Sequence, residues 1–127
     1  MEKTKAITVG GLLFEVKVPT VQDEIDIEQN IHIIGKGRHS EYVKSEDRRT
    51  KFMAYAVTAL STLSVVVIKC PPADKWPHGK NFGAITEDKD KNTMYDLFDE
   101  FEKWRLSFRP KDQKSSKDPP KKDEKQP

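Results

Sequence analysis

The stretch Leu12–Asn30, "LLFEVKVPTVQDEIDIEQN", decides the fold because its apolar pattern changes in the middle. Up to Val18 the apolar residues alternate as on a β-strand, and Pro19 then ends the strand because it cannot donate a ladder hydrogen bond. Thr20 and Asp23 resemble a capping box with aspartate in place of Glu or Gln, and further carboxylates follow in the first turns. The stretch predicts a strand followed at once by a helix over residues 20–34, which glycines at 35 and 37 end.

A β-hairpin is predicted over residues 4–18, ahead of this helix. Gly10 and Gly11 separate two β-rich runs, and a two-residue loop needs the positive φ angles that glycine accepts. Pairing outward from the loop places four apolar side chains on one face: Val9 opposite Leu12, and Ile7 opposite Phe14. The other face carries Thr8, Glu15 and Lys17.

The predicted first helix has an uneven apolar face. Isoleucines 27, 31 and 34 form a stripe with Val21 and Ile25 at one edge, but Glu24 and Glu28 intrude into the same arc. Two interpretations stay open: the helix is half exposed, or its edge meets a partner.

The rest of the chain predicts two more helices. After a polar loop, a helix is expected from about Glu46 to Ser64, with Phe52, Ala56, Ala59, Leu60 and Leu63 at helical spacing. The run Val65–Ile68 either finishes this helix or forms a short strand. Residues 70–92 form a long connection, and Asn92 or Thr93 caps a last helix whose broad face carries Met94, Leu97, Phe98, Phe101, Trp104 and Phe108.

These elements predict an α+β fold, mainly helical, in which an N-terminal β-hairpin packs on about three α-helices. Residues 1–109 form a single domain, and residues 110–127, which have no apolar side chain, form a disordered charged tail. The longest apolar run, Leu63–Ile68, is far shorter than the roughly 20 residues that a membrane span needs.

Composition and motifs argue against catalysis, metal binding and a strong nucleic-acid interface. The 23 basic and 21 acidic residues leave a net charge of +2, without the concentrated positive surface that phosphate binding requires. No histidine has a metal-ligand spacing, and the single cysteine, Cys70, reads as a half-buried thiol. Cys70 and His78 lack an orienting group and an oxyanion site. No catalytic, metal or cofactor residue is therefore predicted.

The candidate functional residues are large apolar side chains. Aromatic residues with polar neighbours anchor protein interfaces when they are not buried, and in so small a domain most of them are expected in the core with one or two left for a partner. The predicted partner-binding residues are Trp76, Phe82, Tyr95, Trp104, Ile27 and Ile31.

Three local patterns, in this order, resemble the small tail assembly chaperones of long-tailed bacteriophages. They are the strand that leads through "VPT" (18–20) into an acidic helix, the Ala-to-Val run ahead of Pro71, and the closing "WRLSFR" (104–109). The resemblance covers about residues 7–109. It implies a non-enzymatic protein of the host cell cytoplasm that binds the tape-measure protein during tail assembly, with the tail-tube protein as a candidate second partner. Self-association is a separate candidate interaction.

Two other functions remain open. One is a structural virion component, such as a head-to-tail connector or a tail accessory protein. The other is a small regulatory protein that binds host nucleic acid through Arg48, Arg49 and Lys51, although plain surface is the favoured interpretation of these residues and an acidic partner also suits them. A small-molecule substrate and a membrane partner are not expected.

Overall fold

The chain begins with an antiparallel sheet whose strands lie in the order β1-β2-β3. The computed structural model describes residues 3–108, and it places β1 at Thr4–Val9 and β2 at Leu12–Lys17. Gly10 and Gly11 have φ angles of 57° and 76°, as a tight turn between twisted strands requires. Val9 pairs with Leu12, and Ile7 with Phe14, which confirms the predicted register.

The third strand resolves the question left open at Val65–Ile68. Helix α3, Arg48–Val66, passes directly into β3, Val67–Lys69, so the run contributes to both elements. Val16 pairs with Val67, and both are fully buried. A bulge separates this pair from the pair formed by Glu15 and Lys69. The sheet therefore joins the N-terminal hairpin to the middle of the chain.

Helix α1, Val21–Ile34, begins with the predicted capping box. The Asp23 N–H donates to Thr20 Oγ1 at 3.1 Å, and the Thr20 N–H donates to Asp23 Oδ2 at 2.9 Å. The Lys17 ammonium lies 3.2 Å from the Asp23 carboxylate and so connects the end of β2 to the first turn of the helix. Lys36 and Gly37 adopt positive φ angles of 53° and 74° just after the helix, and the predicted end at the glycines is confirmed.

The polar loop predicted after α1 is partly wrong, because it contains helix α2, His39–Lys44. His39 Nε2 lies 3.1 Å from Thr58 Oγ1 on α3, and this contact helps to hold α2 in place. Six residues are too few for a helical period to be visible in the sequence. The helix thus depends on tertiary contacts more than on its own pattern.

Helix α4, Asp88–Leu106, begins about one and a half turns earlier than predicted. The prediction took Asn92 or Thr93 as the cap, but Thr93 is buried and its hydroxyl donates to the Lys89 carbonyl inside the helix. Acidic residues at 88 and 90 instead occupy the first turn, where carboxylates favour the positive end of the helix dipole. A short 3-10 helix, Phe82–Ala84, interrupts the connection that precedes α4.

A hydrophobic core unites the sheet, α3 and α4. Its fully buried residues come from each of these elements and from the connection after β3: Phe14, Val16, Ala59, Leu63, Val66, Val67, Trp76, Leu97 and Phe101. The α+β class is confirmed. The predicted tail, residues 110–127, and the domain boundary at 109 lie outside the described residues.

Among residues 3–108, no helix is both long enough and apolar enough to cross a membrane.

The capping box predicts a stability change. Thr20→Ala removes the oxygen that accepts the Asp23 N–H, and we expect the free energy of unfolding to fall by about 1 kcal/mol. Thr20→Ser keeps the hydroxyl and serves as the matched control. Urea denaturation of the three proteins measures the change, and equal stability of the Ala and Ser variants would contradict the assignment.

The same cap predicts a pH dependence. The hydrogen bond from the Thr20 N–H lowers the pKa of Asp23, and the Lys17 ammonium acts in the same direction. A carboxylate with a lowered folded-state pKa stabilises the protein above its unfolded value of about 3.9 and loses this effect as pH falls through the folded value. We expect the stability difference between the wild type and Asp23→Asn to shrink on acidification from about pH 6 to about pH 3. An unchanged or larger difference at the acidic end would show that the carboxylate charge has no part in the cap.

Candidate functional site

Two of the predicted partner-binding residues, Trp76 and Phe82, lie in the core. Trp76 is 1% exposed, its indole N–H donates to the Gly79 carbonyl at 2.9 Å, and its ring meets that of Phe14 edge-to-face at 5.3 Å. Phe82 is 3% exposed and packs beside Trp76. The prediction that they offer contact surface is corrected: the loop folds back over the sheet because two large rings otherwise remain in water.

Tyr95 and Trp104 are half buried on α4 and lie in separate aromatic groups. Tyr95 packs against Phe52 and Tyr55 of α3, with ring centroids 5.3 Å away in each case. Trp104 lies beside Phe101 at 6.3 Å and Phe108 at 5.3 Å. Each therefore keeps part of its ring at the surface, and a partner-binding role for them stays a prediction.

Ile27 and Ile31 come together in a groove between α1, α3 and α4. Ile27 is buried and Ile31 half buried, and the groove has a volume of about 320 Å³. Its other lining residues combine an apolar ring with hydroxyls and charges: Phe98, Thr58, Thr62, Glu24, Glu28, Glu102 and Arg105. The Arg105 guanidinium donates to Glu102 at 3.4 Å, so one of the rim carboxylates is already paired.

A second apolar face of α1 points to solvent. Val21 is 80% exposed, Ile25 47% and Ile33 69%. Positions four residues apart lie on one face of a helix, so these side chains follow one line along α1 with Gln29 between the last two. Val21, Ile25 and Ile33 are called the α1 row below.

The α1 row was only partly visible in the sequence. Val21 and Ile25 read as the edge of the buried stripe, and Ile33 was not singled out. In the structure the buried line runs through Ile27 and Ile31, on another side of the helix. The signal that separates two lines is the i, i+4 spacing of Val21 and Ile25, extended by eight residues to Ile33.

Carboxylates flank the α1 row on both sides. By helical spacing Glu24 and Glu28 lie between the row and the groove, and Asp26 lies on the far side. Both glutamates are exposed, and Asp26 accepts a hydrogen bond from Gln22 at 3.0 Å. An apolar line between acidic borders fits a helix with an apolar stripe and basic neighbours.

A third surface surrounds Phe52, which the sequence predicted as part of an apolar helix face but which is 50% exposed. Its ring lies 5.8 Å from that of Tyr55, centroid to centroid. The Tyr55 hydroxyl donates to Asp99 Oδ1 at 2.6 Å, and burial together with this carboxylate raises the pKa of Tyr55. The aromatic rings of α3 and α4 are therefore held in place by a neutral, hydrogen-bonded tyrosine.

Two titratable side chains that the sequence singled out, Cys70 and His78, lie outside these surfaces. His78 Nε2 lies 2.8 Å from Asp90 Oδ2, which connects the loop after β3 to the first turn of α4. Cys70 is half buried as predicted, and burial raises the pKa of its thiol although Lys80 opposes the shift. Among residues 3–108, no group of three or more His, Cys, Asp or Glu side chains is placed to hold a metal ion.

No protein-family model, no curated protein and no solved structure gives a significant match to the chain. The resemblance to tail assembly chaperones therefore depends on the residue patterns quoted above and stays a prediction. The surfaces of the folded chain supply the argument about function.

The position of Trp76 predicts a contrast with Trp104. Trp76→Ala removes a fully buried ring and its hydrogen bond, and we expect it to lower the free energy of unfolding by about 3–5 kcal/mol. Trp104→Ala, the control at a half-buried site, is expected to cost clearly less. Guanidinium denaturation followed by circular dichroism measures both, and a larger loss at Trp104 would contradict the packing described.

Proposed function

We propose that this protein is a non-catalytic binding protein that holds an amphipathic helix of another protein, and that it acts as a tail assembly chaperone for a phage tape-measure protein. The α1 row is the observation that carries the proposal. Isolated exposed isoleucines are common on proteins, but a line of three branched apolar side chains on one helix is a surface suited to a partner.

The size of the row indicates weak binding by each copy. Complete burial of one Val or Ile side chain contributes about 1.5–3 kcal/mol, and ordering the two partners costs several kcal/mol. A chaperone that must release its client during assembly needs contacts of this strength. Many copies bound along one long client then hold it through multivalency.

The charge of α1 favours a client with basic residues beside its apolar stripe. Glu24, Glu28 and Asp26 border the row, and paired charges at the rim of an interface steer association and set its register. A long helical tape-measure protein exposes apolar stripes before the tail tube surrounds it, and the tail-tube protein is a second candidate partner. The host cell cytoplasm is the site of action that this proposal implies.

Co-expression tests the proposal. The chain is produced with the tape-measure protein of the same phage, and the fraction of tape-measure protein that stays soluble and co-purifies is measured. We expect Val21→Glu, Ile25→Glu and Ile33→Glu combined to reduce this fraction at least about tenfold, since the apolar contact is lost and negative charge is added.

Leu13→Glu is the matched control, because Leu13 is 57% exposed on β2, away from α1. Retention of the client by the triple variant, or equal loss in the control, would contradict the proposal. Mass spectrometry of purified particles separates the structural alternative: many copies of the chain in the mature tail would favour a virion component.

A further inference from the structure

Side chains around Phe52 combine an aromatic centre with opposite charges at its two ends. Phe52 and the neighbouring Met53 are each about half exposed, and the Phe52 ring packs edge-to-face on Tyr95 at 5.3 Å. Arg48 and Arg49 lie one helical turn before Phe52 on the same side of α3. Asp96 follows Tyr95 on α4, and Asp99 lies one turn after it.

These charged side chains form few contacts within the described part of the chain. Arg48, Arg49, Asp96 and Asp99 are exposed, and within residues 3–108 none of the four takes part in an ion pair. The arginines also lie in the first turn of α3, where positive charge opposes the helix dipole. Only Asp99 has a described side-chain partner, the Tyr55 hydroxyl.

We propose that a second copy of this chain docks on this surface, called the Phe52 patch and defined by Phe52, Met53, Tyr95, the arginines at 48 and 49 and the aspartates at 96 and 99. Two copies related by a two-fold axis present the same patch to each other in opposite directions. The basic end of one copy then faces the acidic end of the other, and Phe52 meets its counterpart at the centre.

Charge complementarity selects a second copy over other occupants. A nucleic acid would be attracted to the arginines and repelled by the aspartates, and a uniformly basic client would meet the reverse situation. The α1 row, in contrast, has carboxylates on both sides, so two copies joined there would bring like charges together. The two surfaces therefore fit different partners.

The aromatic centre of the patch is preorganised. Tyr55 packs on Phe52, Tyr95 and Phe98, and its hydroxyl is fixed on Asp99. A ring that is already immobilised loses little side-chain entropy when a partner covers it, which is why rigid aromatics dominate binding energies at interfaces. The dimer does not depend on the proposed function. If both hold, each dimer presents two α1 rows and binds a long client bivalently.

The test needs only the purified full-length chain. Sedimentation equilibrium over a range of concentrations is expected to show a monomer–dimer equilibrium that weakens as salt is raised, because the ion pairs lie at an exposed rim. Phe52→Glu is expected to weaken dimerisation about tenfold or more. Leu13→Glu, an exposed apolar residue outside the patch, is expected to leave it unchanged. A monomer at all concentrations, or a dimer that Phe52→Glu leaves intact, overturns the proposal.

Reversal of the charges at the two ends of the patch provides a second, independent test of the dimer. Arg48→Glu with Arg49→Glu makes both ends of the patch acidic, and Asp96→Lys with Asp99→Lys makes both ends basic. Each double variant alone is expected to be monomeric, and an equimolar mixture is expected to form a heterodimer. Circular dichroism and thermal unfolding verify that both variants fold. If they fold and no heterodimer forms, the assignment of the patch is wrong, whatever the outcome of the client experiment.

Discussion

The junction between β2 and α1 is the constraint on which the arrangement of surfaces depends. Only Val18, Pro19 and Thr20 separate the strand from the helix. The Asp23 carboxylate in the first turn contacts both the Thr20 N–H and the Lys17 ammonium at the end of β2. The helix therefore leaves the sheet in one direction and in one rotation about its axis. That rotation turns Ile27 toward α3 and leaves the α1 row in solvent.

An amphipathic helix normally carries its apolar residues on one face, whereas α1 carries them on two. The inner line, Ile27 and Ile31, completes the packing of α1 on α3, where Asn30 also donates to the Ser61 carbonyl at 3.4 Å. The outer line, the α1 row, leaves about half or more of each side chain exposed. Since exposed branched side chains favour association, selection for a partner is the simplest physical reason for such a line to persist.

The distribution of charge differs between the two proposed binding surfaces, although the net charge is only +2. Carboxylates border the α1 row, so it suits a basic client helix. The Phe52 patch divides its charges between two helices, α3 and α4, and this separation is the basis of the proposed docking of a second copy. A nearly neutral net charge is thus compatible with two different local arrangements of charge, which favour different binding partners.

Local chemistry in the sequence determined the hairpin, its register, the capping box and the end of α1, because each depends on residues within a few positions of one another. Contacts between distant residues decided the rest. Helix α2 packs on α3, where His39 contacts Thr58, and Thr93 is buried inside α4 and does not act as its cap. The sequence left open which of the large aromatics lie in the core, and only the path of their loop buries Trp76 against Phe14 and Phe82 beside Trp76. Likewise, periodicity placed Val21 and Ile25 on α1, but only packing against α3 determined that Ile27 is buried and that the α1 row stays in water.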